Sequence, residues 1–284
     1  MARSSTHTQS SGADCSNGNT DCVGDRMWLW CHPAGSHNGS KYGIPSASRT
    51  TPVEACNYLG IRNALVVRYG DFGPFPPYDQ FAVPFATLDR VVWSIVGAGG
   101  RTDEETREAV LELAGRMPNI TGVIMDDFFR ASRGTEGLTA ALSQDELQEV
   151  TDRLTLPDRR LDLWVVLYDH QLGYEVGPYL DRCDKVTFWT WQAENLANLE
   201  ADYARAESLT PRHSRLLGCY MWDYGNSRPM PVELMRRQCE YGLELLRSGR
   251  IEGMIFLASC ICDLQLEAVE WTRRWIAANS PMPL

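Results

Sequence analysis

The sequence predicts a single α/β domain closed as a (β/α)8 TIM barrel. Between residue 27 and residue 284, short apolar runs alternate eight times with amphipathic helical stretches, the pattern of a parallel sheet covered by helices. Eight such units in about 250 residues match the size of a closed barrel. The segments after the first, second and fourth strands are long and aromatic, whereas returns from helix to strand, such as Arg116-Met117-Pro118-Asn119, are short. Long loops are unusual unless functional, and here they gather on one face.

The elements follow in order. Met27-Trp28-Leu29-Trp30-Cys31 is the first strand, and a loop from His32 to Thr50 follows it. Thr51-Pro52-Val53-Glu54 opens a helix, with Thr51 as cap and proline at the first helical position. The second strand runs from Asn63 to Arg68, and its loop to Gln80 holds Phe72, Phe75, Tyr78 and three prolines. Arg90 to Val96 is the third strand and ends in Gly97-Ala98-Gly99-Gly100. Thr102-Asp103-Glu104-Glu105 reads as a capping box, and Val110, Leu113, Ala114 and Met117 then share one helical face. The fourth strand, Gly122-Val123-Ile124-Met125, runs into Asp126-Asp127-Phe128-Phe129. A second capping box, Ser143 to Glu146, starts a helix with Leu147, Val150 and Leu154 inward.

The remaining strands are expected at Leu161 to Tyr168, Asp184 to Trp191, Arg215 to Trp222 and Ile251 to Ala258. Their helices present Leu196, Leu199, Tyr203 and Ala206; then, from Pro231, Met235, Cys239 and Leu246; then Leu264, Ala268, Trp271 and Trp275. The second and fifth helices are weak in pattern. Residues 1–26 read as a flexible polar leader and residues 27–284 as the barrel.

Composition narrows the function. A formal charge of −10 argues against nucleic acid and anionic membranes as partners. No apolar run reaches the roughly 20 residues of a membrane span, and the leader lacks the apolar core of a signal peptide. A cytoplasmic chain and an exported, processed one both fit. Of nine cysteines, most lie in apolar elements as small buried hydrophobes, while Cys15 and Cys22 sit in the leader and can close a small disulfide loop. No CxxC pair suggests a zinc cage. The chain has two lysines, Lys41 in a loop and Lys185 at the start of a strand, so a Schiff-base lysine at a strand's carboxyl end is nearly excluded. His213 falls in a connection on the opposite face.

In a barrel, chemistry sits at the carboxyl ends of the strands. Those ends bring together His32, Arg68, Asp71, Ser94, Asp126, Asp127, Asp169, His170, Trp191, Glu194, Trp222, Asp223, Ser259 and Asp263, with Trp28, Trp30, Trp93 and Trp189 within or near the strands. Buried adjacent acids are costly unless solvated, paired or used. Aromatic faces stack on pyranose rings, carboxylates bind hydroxyls, and a carboxylate pair can cleave a glycosidic bond. Side-chain alternation predicts Thr187, Trp189 and Trp191 inward and groups Asp223 with Leu217, Cys219 and Met221; on the fourth strand it leaves both sets open. A magnesium site on Asp126, Asp127 and Asp169 is an alternative, as is a tight or anion-binding turn at Gly97–Arg101.

With acids at strands four and seven and aromatics at strands one, six and seven, the chain resembles TIM-barrel glycoside hydrolases over roughly residues 27–277. In the largest such clan those acids are glutamates; here Asp126 or Asp127 and Asp223 hold their places. The resemblance implies a carbohydrate substrate and no cofactor or metal. It assigns one of Asp126 and Asp127 as general acid and Asp223 as nucleophile or base. Trp30, His32, Arg68, Asp71, Trp93, Asp169, His170, Trp189, Trp191, Glu194 and Trp222 would bind substrate. The alternative is a carbohydrate-binding or scaffold barrel without turnover, favoured if the acids pair with arginines and face away from the cleft.

Overall fold

The computed structural model describes residues 21–131 and 138–284. Eight parallel strands close into a barrel: β1 Met27–Cys31, β2 Asn63–Val66, β3 Arg90–Val96, β4 Ile120–Met125, β5 Asp162–Tyr168, β6 Lys185–Trp189, β7 Ser214–Tyr220 and β8 Gly253–Leu257. Each strand pairs with its sequence neighbours, and β1 also pairs with β8, with Trp28 opposite Ile255. One helix follows each strand: α1 Pro52–Leu59, α2 Asp79–Ala82, α3 Glu104–Arg116, α4 Gln144–Asp152, α5 Gly177–Leu180, α6 Leu199–Leu209, α7 Val232–Arg247 and α8 Glu267–Asn279. The two helices with weak patterns, α2 and α5, are the two of four residues. Among the described residues no helix is long and apolar enough to cross a membrane.

Side-chain caps mark where α1, α3 and α4 start. Thr51 and Glu54 exchange hydrogen bonds at α1, and Ser143 and Glu146 do so at α4. At α3 the cap is one residue later than the sequence suggested. Asp103 accepts from the Thr106 N–H at 2.7 Å, because the Thr102 hydroxyl is already donating to the Ile95 carbonyl.

The inside of the barrel is aromatic. Trp28 meets Trp164 edge to face, and one layer higher Trp30 meets Trp189, with centroids 5.0 and 5.3 Å apart. Gly218 on β7 makes room for Trp189, since a Cβ there would lie 2.0 Å from the indole. At the amino-terminal end, Arg90 covers the Trp28 ring and Lys185 covers Trp164. Lys185 also pairs with Asp162 and Glu252. The aromatic interior thus has a charged floor, and this lysine is far from the strand ends where chemistry would sit.

Packing extends upstream of Met27 into the stretch read as leader. Val23 is fully buried, its N–H bonds to the Met282 carbonyl, and Cys22 bridges Pro283. Cys22 is in a disulfide; Cys15, its expected partner, lies outside the described residues. Seven other cysteines are free and buried.

Candidate active site at the carboxyl-terminal face

The strand ends build two connected chambers. The inner one, about 60 Å³, lies over Trp30, Trp189 and His32 and is walled by His37, Tyr42, Tyr69, Tyr220 and Tyr224. The outer one, about 390 Å³, is bounded by Gly99, Phe129, Arg130, His170, Gln171 and Tyr174. Asp127, Tyr168 and Trp191 line both, while Asp126 faces the inner chamber alone. The outer volume is within the range of small-molecule sites; the inner chamber is a recess leading off it.

Two neighbouring residues of a strand should point to opposite faces. Asp126 and Asp127 both reach the chambers because β4 ends at Met125 and Asp127 turns left-handed, with φ +44°. Asp is among the residues that tolerate this conformation. The turn places the Asp127 N–H 2.8 Å from Asp126 Oδ1. Both Asp127 oxygens are held: Oδ1 accepts from the Tyr168 hydroxyl at 3.0 Å and Oδ2 from the Gly99 N–H at 2.7 Å. The glycine turn after β3 therefore serves Asp127. A Cβ on Gly100 would lie 2.7 Å from the Asp127 carbonyl oxygen, so glycine is needed for this close approach.

Burial pushes Asp126 well above the usual carboxylate range; the adjacent Asp127 adds to this and the hydrogen bond from its N–H opposes it. Burial thus favours the neutral, protonated form of Asp126 over the carboxylate. Burial, then the charge of Asp127, pushes the Tyr168 phenol up as well, which keeps it a donor. His32 is neutral, its pKa lowered to about 4 by burial. Its Nε2 accepts from Trp30 Nε1 at 3.1 Å and its Nδ1 faces the Val67 carbonyl at 3.0 Å, a pairing that fixes the proton on Nδ1. This ring is a wall of the recess with both nitrogens engaged.

Several expected site residues lie elsewhere. Asp223 lines neither chamber. Its buried carboxylate accepts from Arg228 Nε at 2.8 Å, from Asn226 Nδ2 and from the Ala193 N–H. The reason is parity: Gly218 and Tyr220 face the barrel interior, so Leu217 and Cys219 face the helices, and Asp223 falls in that outward set. The chain past Tyr220 forms a small hairpin, Trp222–Asp223 with Arg228–Pro229, where a longer strand was expected. Glu194 joins Arg228 and Asn226 on this rim. Trp222 donates to the Tyr42 carbonyl and braces the loop after β1. Trp93 is buried under α2 and the turn after it, against Tyr78, Phe81 and Phe85. Arg68 pairs with Asp103 at 3.0 Å and its N–H bonds Ser94; Asp71 pairs with Arg101 on the surface.

Asp169 accepts from the Trp191 N–H and from Asn195 Nδ2. It orients Trp191 and does not converge with Asp126 and Asp127, which removes the magnesium triad. His170 stacks on Tyr168 at the outer chamber. Ser259 and Asp263 tie loops together: Ser259 bonds the His32 main chain, and Asp263 accepts from Arg49 and Thr50 N–H groups. The chambers' tyrosines, and His37, were missed by sequence reasoning. Tyr168 and Tyr220 carried a signal, since they are the last residues of the inward sets Trp164, Val166, Tyr168 and Leu216, Gly218, Tyr220.

In architecture the chain resembles TIM-barrel glycoside hydrolases. A β-1,4-mannanase matches with a TM-score of 0.53 at 10% identity, covering 92% of this chain and 99% of that one. A GH18 chitinase from Cycas revoluta, solved with allosamidin, matches with 0.51 at 13%, covering 88% and 99%. A xylanase-A-amylase inhibitor protein matches with 0.54 at 14%, covering 93% and 100%. At these identities the likeness establishes the fold. No protein-family model and no curated protein matches the sequence.

Proposed function

We propose that this barrel is a glycoside hydrolase-like enzyme that binds a saccharide across the two chambers, with Asp126 as general acid. The observation that carries the reading is the pair at the end of β4: a buried acid whose pKa is raised by burial, beside a carboxyl group held by two donors, in a cleft walled by aromatics. Asp126 would protonate the departing glycosidic oxygen. A group that is still protonated near the working pH is what this step requires. Asp127, fixed by Tyr168 and Gly99, would stabilise the positive charge that develops on the sugar or orient a water. Trp191, common to both chambers, supplies a face for a pyranose ring. That two of the structures sharing the fold are named as a mannanase and a chitinase agrees with a carbohydrate ligand.

The test is a screen of oligosaccharides and aryl glycosides on the wild type beside Asp126→Asn, Asp127→Asn and Asp223→Asn. Turnover lost in the first two and kept in the third supports the assignment. A second reading, a carbohydrate-binding barrel without turnover, is favoured by one observation. Asp223, the expected opposing carboxylate, is locked to Arg228, and among the described residues Asp126 and Asp127 are the carboxylates of the chambers. Saccharide binding with no hydrolysis of any substrate would select it.

A further inference from the structure

Among the described residues, two cations at the rim of the cleft have no carboxylate partner. Among the described residues, acids around the mouth are engaged: Asp71 with Arg101, Asp103 with Arg68, Asp169 with His170, and Asp223 and Glu194 with Arg228. Two cations are not. Lys41, in the loop after β1, lies 4.3 Å above the Tyr69 ring that walls the inner chamber, and among the described residues it has no carboxylate partner. Its charge reaches inward, adding to the depression of the His32 and His37 pKa values below that of a free imidazole. Arg130 lines the outer chamber against Gly100 and likewise has no carboxylate partner among the described residues. His170, on the same wall, already faces the Asp169 carboxylate at 3.4 Å and is not counted with them. Among the described residues Asp127 is the carboxylate of the outer chamber, and both its oxygens accept hydrogen bonds. Lys185, the other lysine, shows the alternative treatment: it sits between two carboxylates on the barrel floor.

We infer that the saccharide bound in this cleft is anionic, carrying a carboxylate or sulfate that Arg130 and Lys41 receive. The inference rests on the reading of the cleft as a saccharide site. A guanidinium presents a planar fork that suits either anion, and an ammonium adds a point charge. Exposed charge pairs act modestly, so selectivity rather than high affinity is the expected sign.

The experiment measures calorimetric affinities for matched trisaccharides: mannotriose against tri-mannuronate, and galactotriose against tri-galacturonate, with the 6-sulfated form of each neutral sugar. Wild type is compared with Lys41→Gln, Arg130→Gln and the double variant, whose thermal midpoints should stay near wild type because both side chains are exposed. The expected result is at least roughly tenfold tighter binding of an acidic member over its neutral counterpart. That preference should shrink in about 0.5 M salt and vanish in the double variant. Whether uronate or sulfate is favoured identifies the anion. Equal binding of neutral and acidic members, or an acidic preference that survives the double substitution, overturns the inference and leaves the saccharide site standing. If no trisaccharide of either kind binds, the saccharide reading itself fails and this inference falls with it.

Discussion

Asp126→Asn should stabilise the protein, and by an amount that grows with pH. In the fold Asp126 is 5% exposed, and burial together with the neighbouring Asp127 raises its pKa well above the ordinary carboxylate range. In the unfolded chain it titrates near pH 3.9. Between those two values the folded state holds one more proton than the unfolded state, so stability falls as pH rises. The slope for one proton is about 1.4 kcal/mol per pH unit. Asparagine keeps the oxygen that accepts the Asp127 N–H and has no charge to bury. For a domain of this size, 1 kcal/mol corresponds to about 2–4 °C in thermal midpoint. The variant's advantage over wild type should therefore be small near pH 4 and widen by about 3–5 °C per pH unit above it, until Asp126 ionises in the fold as well. Paired calorimetric scans in steps from pH 4 to pH 8 check this. A difference that is flat with pH would mean that Asp126 ionises normally in the fold, and the general-acid role would lose its physical basis.

Four further outcomes follow from the same geometry. Asp223→Asn weakens the tie between the β7 hairpin and the loop after β6 and should lower stability by about 1–3 kcal/mol while leaving turnover near wild type; urea melts and steady-state rates separate the two. Tyr168→Phe removes the donor on Asp127 Oδ1 and should lower kcat by on the order of ten- to a hundredfold, with about 1 kcal/mol lost in stability. Trp191→Ala should weaken saccharide binding roughly tenfold, about 1.4 kcal/mol, in a titration followed by calorimetry, with a smaller effect on folding. His32, neutral in the fold with a pKa of about 4, binds fewer protons there than when unfolded. The stability it allows is present above about pH 6.5 and declines as pH falls toward 4, so His32→Asn should flatten that part of the pH–stability curve.

The barrel was legible because most units carry their own punctuation. Apolar runs of strand length, the Thr51 cap with its proline, the Ser143 capping box and the short helix-to-strand returns all indicate the same repeat. The site was only partly legible, for reasons of geometry. The β4 acids stood out in the sequence, yet that both face the chambers depends on the left-handed backbone at Asp127, which alternation does not anticipate. On β7 the inward set is marked by Gly218, whose missing side chain accommodates Trp189 across the barrel. Alternation alone groups Asp223 with Leu217, Cys219 and Met221 without saying which face that set takes, and so Asp223 remained a candidate. Trp93 shows the complementary error. An indole on a strand serves the helix layer as readily as the interior, and here α2 and its following turn supply the partners. The tyrosines escaped notice because a buried phenol resembles core until the chamber around it is seen.

The central claim is that Asp126 delivers a proton to a departing glycosidic oxygen, and leaving-group dependence tests it most directly. A dinitrophenyl glycoside departs without protonation, whereas an oligosaccharide of the same sugar does not. The account predicts that Asp126→Asn loses about 10²–10⁴ in turnover on the oligosaccharide while staying within roughly tenfold of wild type on the activated glycoside. Equal losses on both substrates, or full activity on the oligosaccharide, would contradict it.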